Sequence, residues 1–175
     1  ETTMTNILEK ILDQKRWEIA ALDAQALRHA AEQSPTPRDF LAAIQRRRFG
    51  YDPSMGLRPS LIAELKRASP SKGILAPHLD LFQVEDIYTQ NGAAAISVLT
   101  DEKFFQGKLE TLRDLRFTHH SLLPLLRKDF IIDSSQIYEA RANGADAILL
   151  IAAALPDDEH FADLHACALS LGLTA

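Results

Sequence analysis

One local pattern recurs along the chain, and residues 81–100, LFQVEDIYTQNGAAAISVLT, show it most clearly. A helical segment is followed by a short apolar run that is typical of a buried strand. An Asn-Gly-Ala turn joins the two, and the same turn recurs at 143–145. Glycine in such a turn permits the left-handed backbone that ends a helix and redirects the chain. The sequence therefore predicts alternating helices and parallel strands.

Four βα units are predicted after Gly56. Strands are expected at about 60–66, 93–100, 122–128 and 145–153, and helices at about 81–90, 109–116, 134–142 and 157–171. Spacing alone does not distinguish a doubly wound open sheet from a barrel, but no Gly-x-Gly-x-x-Gly follows the first strand, which modestly favours a barrel. A closed (βα)8 barrel takes about 250 residues, so four units are half of one.

Residues 1–50 are interpreted as a helical extension that precedes the barrel. Apolar residues at helical spacing predict a helix over about 6–33. A second helix is predicted with Thr36 as its N-cap, Pro37 at its first position and Asp39 at its third.

Composition limits the classes of function. The 175-residue chain has a formal net charge of -5, which argues against nucleic-acid binding, because that function needs clustered positive charge. The run Arg46-Arg47-Arg48 is interpreted as a solvated helix end. A single cysteine, Cys167, excludes an internal disulfide and fits a reducing cytoplasm. No apolar run reaches the length of a membrane span, so we expect a cytoplasmic protein without a membrane partner.

No metal site is expected from the sequence. The histidines show no helical i, i+4 spacing, and no cysteine or carboxylate is expected to complete a ligand set with them. They are His29, His78, His119, His120, His160 and His165.

Charged residues end two of the predicted strands. Alternation along the first strand puts Glu64 and Lys66 on one face, opposite apolar residues, and the third strand ends in Arg127-Lys128-Asp129. Parallel βα proteins place functional groups at the carboxyl ends of their strands. Two lysines in a desolvated mouth lower each other's pKa, which suits one to proton donation and the other to anion binding. The alternative is an internal salt bridge.

Two loops offer further candidates. The stretch Ala68-Ser69-Pro70-Ser71-Lys72-Gly73 supplies hydroxyls, backbone NH groups and a cation that can hold phosphate, although such turns are common. Phe104 and Phe105 follow the second strand. The ordinary interpretation is that these rings pack in the core, and the more specific functional alternative is that they contact a ring of the substrate.

Several motifs together resemble the indole-3-glycerol-phosphate synthase family. The stretch IAELKRASPSKG at 62–73 closely resembles the family signature, and the match continues through ISVLTDEKFFQG at 96–107 and LRKDFIID at 126–133. QIYEAR at 136–141 and GADAILLI at 144–151 follow in the same order. The resemblance covers essentially the whole chain, including the extension.

The resemblance implies a (βα)8 TIM barrel of which this chain holds the extension (1–50) and the first half (51–175), truncated before strand 5. It implies an enzyme of tryptophan biosynthesis that uses no cofactor. Such an enzyme converts a phosphorylated small molecule, 1-(2-carboxyphenylamino)-1-deoxyribulose 5-phosphate, to indole-3-glycerol phosphate with loss of carbon dioxide and water.

The resemblance also assigns catalytic roles. Lys128 resembles the general acid that protonates the ribulose carbonyl. Lys66 resembles the lysine that holds the substrate anion and donates a proton for dehydration, and Glu64 resembles the carboxylate that orients both lysines.

Three further residues are implied to bind substrate. Ser69 resembles a phosphate contact, and Pro70 and Phe105 resemble the apolar wall around the anthranilate ring. The family's general-base glutamate is expected on the fifth strand, beyond Ala175, and its main phosphate-binding glycines are expected later still. The isolated chain is therefore expected to be inactive or nearly so.

Two alternatives stay open. One is another phosphate-binding barrel enzyme, such as phosphoribosylanthranilate isomerase, although that reaction resembles cysteine and aspartate catalysis. The other is a non-catalytic fragment or assembly unit. The unpaired strand edges of a half barrel would favour pairing with another copy, as a homo-oligomer.

Overall fold

The computed structural model describes residues 7–45, 59–69, 73–74 and 78–175. Within these ranges the fold is α/β. The helices are α1 (Ile7–Ile19), α2 (Ala24–Gln33), α3 (Phe40–Gln45), α4 (Leu81–Gln90), α5 (Glu102–Phe105), α6 (Leu109–Phe117), α7 (Ser134–Ala142) and α8 (Asp158–Ser170). The strands are β1 (Ile62–Leu65), β2 (Ala68–Ser69), β3 (Gly73–Ile74), β4 (Ala95–Leu99), β5 (Leu125–Lys128) and β6 (Ala147–Ile148).

Four parallel strands form the main sheet, in the order β1-β4-β5-β6. The order follows the chain, so each crossover helix returns the backbone to the next position in the sheet. After α8, Thr174 forms a parallel bridge with Ala147 and extends the pairing beyond β6. A separate antiparallel pair, β2 with β3, lies directly after β1.

The core lies between the sheet and the helices that cover it. Ala63 and Leu65 of β1 are buried there, whereas Ile62 and Glu64 are not, as strand alternation predicts. Large side chains from the other elements complete the core, and each contributes about 1.5–3 kcal/mol by leaving water. Among them are Ile96, Leu112, Leu115, Leu125 and Ile137.

The three helices before β1 contact the sheet region at different places, from the carboxyl ends of its strands to their amino ends. Lys15 of α1 contacts residues that follow the carboxyl ends of β4 and β5. Helix α2 packs on α7. Phe40 of α3 packs on Ala95 and Ala147, which begin β4 and β6. The carboxyl ends of the strands are therefore covered by α1 and the amino ends by α3.

The helices of this region differ from the sequence prediction in two places. The predicted helix over 6–33 is two helices, because the chain turns after Ile19 and restarts where Asp23 accepts a hydrogen bond from the Ala26 NH. The helix predicted to start at Thr36 begins at Phe40 instead. The backbone NH of Arg38 donates to the buried Asp146 carboxylate, which holds this segment outside a helix. The arginines at 46–48 lie outside the described residues.

The predicted parallel strands and crossover helices are confirmed, with shorter strands. The fourth strand is only β6, and the end of the predicted run enters a 3-10 helix, Ala152–Ala154. The short helix α5 and the pair β2–β3 were not predicted. Both Asn-Gly-Ala turns are confirmed, because Gly92 and Gly144 have φ of 88° and 85°. No helix in the described part of the chain is long and apolar enough to cross a lipid bilayer.

Candidate active site

One carboxylate holds two lysines at the carboxyl ends of the strands. Glu64 points from β1 and places Oε1 2.7 Å from Nζ of Lys66. Its other oxygen, Oε2, accepts a hydrogen bond of 2.5 Å from Nζ of Lys128, the last residue of β5. The three side chains predicted to carry the chemistry are therefore in direct contact, across the intervening strand β4.

These three side chains remain open to solvent. Relative exposure is 26% for the Glu64 side chain, 33% for Lys66 and 41% for Lys128. Burial alone would raise the pKa of Glu64, but hydrogen bonds from Lys128 and Lys66 outweigh it and lower that pKa. Glu64 is therefore an anion at neutral pH, and each ammonium keeps hydrogens that a bound molecule can reach.

An apolar wall stands beside the lysines. The rings of Phe105 and Phe130 lie 6.1 Å apart with a tilt of 35°. Together with Leu99, Leu149 and Ile151 they line one cavity with Glu64, Lys66 and Lys128. The cavity can hold a planar ring against its apolar side while charged groups meet the polar substituents.

Capping bonds fix the two phenylalanines. Asp101 is the N-cap of α5 and accepts hydrogen bonds from the backbone NH groups of Phe104 and Phe105. The side chain of the buried Gln136 holds the segment of the second ring. Its amide NH2 donates to the backbone carbonyl of Phe130, and its amide oxygen accepts hydrogen bonds from the backbone NH groups of Ile132 and Asp133. The segments that carry both rings are thus held by buried polar side chains.

A buried ion-pair network lies next to this site. Nζ of Lys15 in α1 lies 3.0 Å from Asp101 and 2.9 Å from Asp129, with side-chain exposures of 3%, 0% and 1%. Arg127 extends the network to Asp129 and Glu139. The two aspartates flank the candidate site, because Asp101 caps α5 and Asp129 follows Lys128.

Electrostatics favours the charged forms of Lys15 and Asp129. Burial opposes the charge on Lys15, but Asp129, Glu18 and Asp101 outweigh burial and raise its pKa. Burial would likewise raise the pKa of Asp129, yet Arg127 and Lys15 lower it to about 2 from the ordinary 3.8. The network is therefore a set of compensated charges that fasten α1 to the ends of β4 and β5.

Acid is expected to weaken the fold through Asp129. Because its folded pKa is depressed, its stabilisation is fully present above about pH 4 and is lost as pH falls through about 2. The shift corresponds to roughly 2 kcal/mol of unfolding free energy. Urea unfolding between pH 2 and pH 7 should show this acid loss in the unmodified chain and a smaller one in Asp129→Asn. Asp13→Asn, a substitution at an exposed aspartate, is the matched control. If the unfolding free energy fell equally with pH in all three proteins, the acid loss could not be assigned to Asp129.

The substrate-binding residues predicted from the sequence have different outcomes. Phe105 lines the cavity with the lysines. Ser69 lies in β2, opposite Gly73, and does not line that cavity. Pro70 lies outside the described residues, as do Ser71 and Lys72.

The sequence analysis missed several residues of the site and one cluster elsewhere. Phe130 follows the predicted third strand, and Leu149 and Ile151 lie in the second half of the predicted fourth strand, so their place near the carboxyl ends was the available signal. The sequence analysis also did not foresee that His119 contacts both Glu85 and Asp86. That contact joins parts of the chain 33 residues apart, which spacing rules for one helix do not detect.

Fold and site together define a parallel βα protein with a carboxylate and two lysines at the carboxyl ends of its strands. Comparison with known proteins identifies the family within this class. The family profile of indole-3-glycerol phosphate synthase matches residues 8–175. The chain belongs to the indole-3-glycerol phosphate synthase family.

Curated relatives agree with the family assignment. A protein named indole-3-glycerol phosphate synthase from Chloroherpeton thalassium is 49% identical over 172 residues, which cover 96% of this chain and 63% of the relative. A protein of the same name from Roseiflexus sp. is 49% identical over 98% of this chain and 63% of the relative. One from Albidiferax ferrireducens is 46% identical over 97% of this chain and 62% of the relative. The chain thus spans just under two thirds of these relatives' length.

Proposed function

We propose that the protein carrying this chain is an indole-3-glycerol phosphate synthase. In the proposed reaction a ring carbon of 1-(2-carboxyphenylamino)-1-deoxyribulose 5-phosphate attacks the ribulose carbonyl, and the ring carboxylate leaves as carbon dioxide. Loss of water then gives the indole. The observation that carries the proposal is the contact of one carboxylate, Glu64, with both Lys66 and Lys128 beside an apolar wall.

The proposed roles follow the chemistry of each side chain. Lys128 is the general acid, and its Nζ donates a proton to the carbonyl oxygen as the new carbon–carbon bond forms. Lys66 holds the substrate anion and supplies a proton to the departing hydroxyl. Glu64 orients both ammonium groups through its two oxygens. No metal or cofactor takes part in these steps.

The proposed binding residues complete the active site. Phe105 contacts the anthranilate ring, and Phe130 is the neighbouring ring in the lining of the same cavity. We propose Pro70 as a further part of the apolar wall and Ser69 as a phosphate contact, both supported by the family signature at 62–73.

The contrast between the two charged clusters supports a reactive role for Glu64 and its lysines. The Lys15 network is closed, with side chains almost fully buried and paired. The Glu64 pairs are open, with exposures of 26% to 41%. A purely structural salt bridge gains little when it stays exposed, so stability does not explain why these three charges stand beside an apolar cavity.

The wider proposal covers organisation, location and activity. We propose that residues 1–50 form an extension and that 51–175 form the first half of a TIM barrel. A homo-oligomer is the proposed state if the 175 residues occur alone, because β1 is an edge of the described sheet. The cytoplasm is the proposed location, supported by the single cysteine. The proposed activity is that of the protein that carries this chain.

Turnover of the carboxyphenylamino-deoxyribulose phosphate tests the function. The protein that carries this chain should form a fluorescent indole product with one carbon dioxide released per product. Isomerase activity on phosphoribosylanthranilate is measured in parallel, because the alternative enzyme would turn over that substrate instead. Turnover of that second substrate in place of the first, or failure to turn over the first by a folded full-length protein, would contradict the proposal.

A further inference from the structure

A second group of side chains with metal-ligand chemistry lies away from the lysine site. Glu85 and Asp86 are neighbours in α4, and His119 lies in the loop between α6 and β5. Nε2 of His119 is 3.2 Å from Oε2 of Glu85 and 3.1 Å from Oδ1 of Asp86. One ligand atom from each of the three residues lies within 4.8 Å of the others.

The three ligand atoms converge in a way that a hydrogen bond explains poorly. Both carboxylates approach the same nitrogen of His119, and a ring nitrogen carries at most one hydrogen. One N–H must therefore serve two anionic oxygens. A zinc ion with bonds of about 2.0–2.1 Å holds tetrahedral ligand atoms about 3.3–3.4 Å apart, which is close to the two distances seen here.

The surroundings hold the candidate ligands in place. Glu85 is 2% exposed, and its other oxygen, Oε1, accepts hydrogen bonds from the hydroxyls of Thr89 at 2.8 Å and Ser121 at 2.7 Å. These bonds leave Oε2 directed at the imidazole. The Phe82 ring packs against the His119 ring, with centroids 5.4 Å apart. Such outer contacts are typical of the partners that orient metal ligands.

We propose that Glu85, Asp86 and His119 form a binding site for a divalent transition-metal ion, with zinc as the best match. The ion would be bound by Oε2, Oδ1 and Nε2, and water would take the remaining position. Two carboxylates and a neutral imidazole balance a charge of +2. The site connects α4 to the loop before β5, so bound metal stabilises this side of the fold without taking part in the lysine chemistry.

Zinc binding by the purified, metal-stripped chain tests the proposal. Calorimetric titration with Zn²⁺ at pH 7.5 should show one saturable site, and Co²⁺ in its place should give the visible absorption of a four-coordinate site. Asp86→Asn and His119→Ala should each weaken Zn²⁺ binding by more than about 100-fold. Loss of a residue that only orients a metal ligand typically costs about 10- to 100-fold, and loss of a ligand itself should cost more. Asp86 is 53% exposed, so its substitution leaves the core intact.

His120→Asn is the matched control for this titration. His120 is exposed, and asparagine tolerates its left-handed backbone, with φ of 56°. The control should bind Zn²⁺ as the unmodified chain does. Absence of saturable binding in the unmodified chain would overturn the proposal. Binding that survives both Asp86→Asn and His119→Ala would overturn it as well, because the ion would then be held by other residues.

Discussion

Replacing Lys15 with methionine is expected to lower the free energy of unfolding by about 3–5 kcal/mol. Lys15 is the cation between the buried carboxylates of Asp101 and Asp129. Methionine keeps the length of the side chain but leaves both aspartates without this partner. An unpaired buried charge costs several kcal/mol, whereas the lost packing is small.

Arg16→Met is the matched control for this substitution. Arg16 is the next residue of α1, and its ion pair with Asp13 is exposed, at 64% and 72% for the two side chains. Its loss should change the unfolding free energy by less than about 1 kcal/mol. Urea unfolding followed by circular dichroism measures both variants. Equal effects of the two substitutions would contradict the role assigned to the Lys15 network.

Replacing Lys128 with alanine is expected to lower kcat of the full-length protein by about 10²- to 10⁴-fold, the usual cost of losing a general acid. The lost group is the ammonium that donates to Glu64 beside the apolar cavity. KM should change less, because the ring wall and Lys66 remain.

Lys108→Ala is the control for the loss of a lysine. Lys108 is exposed, and its side chain makes no capping bond to α6. Steady-state turnover, followed by indole fluorescence, should be unchanged in this variant. A Lys128→Ala protein that keeps more than about a tenth of kcat would show that another group donates the proton.

Regular elements could be predicted from the sequence because local signals determine them. The Asn-Gly-Ala turns and apolar runs located β4 and the helices α4 and α7 closely. The convergence of Lys66 and Lys128 was also predictable, since parallel strands bring their carboxyl ends to one edge. The family resemblance then gave the two lysines and Glu64 their expected roles.

Contacts between distant parts of the chain could not be predicted in the same way. The spacing of Lys15 contains no signal that it meets Asp101 and Asp129 more than eighty residues later. The start of α3 depends on the bond from Arg38 to Asp146, which forms only when the extension docks. The same holds for His119, a loop residue whose carboxylate partners lie on α4. In each case the position or partner of the residue is set by a contact with a distant part of the chain, and the local sequence pattern carries no information about that contact.

A double-substitution cycle on Glu64 and Lys128 tests most directly whether they act as one site. Turnover by the full-length protein is measured for Glu64→Gln, for Lys128→Ala and for the two together. If Glu64 works by holding the lysines, the double variant should lose much less activity than the product of the two single losses. Losses that multiply would contradict the account, because they would mean that Glu64 and Lys128 act independently despite the contact of 2.5 Å between them.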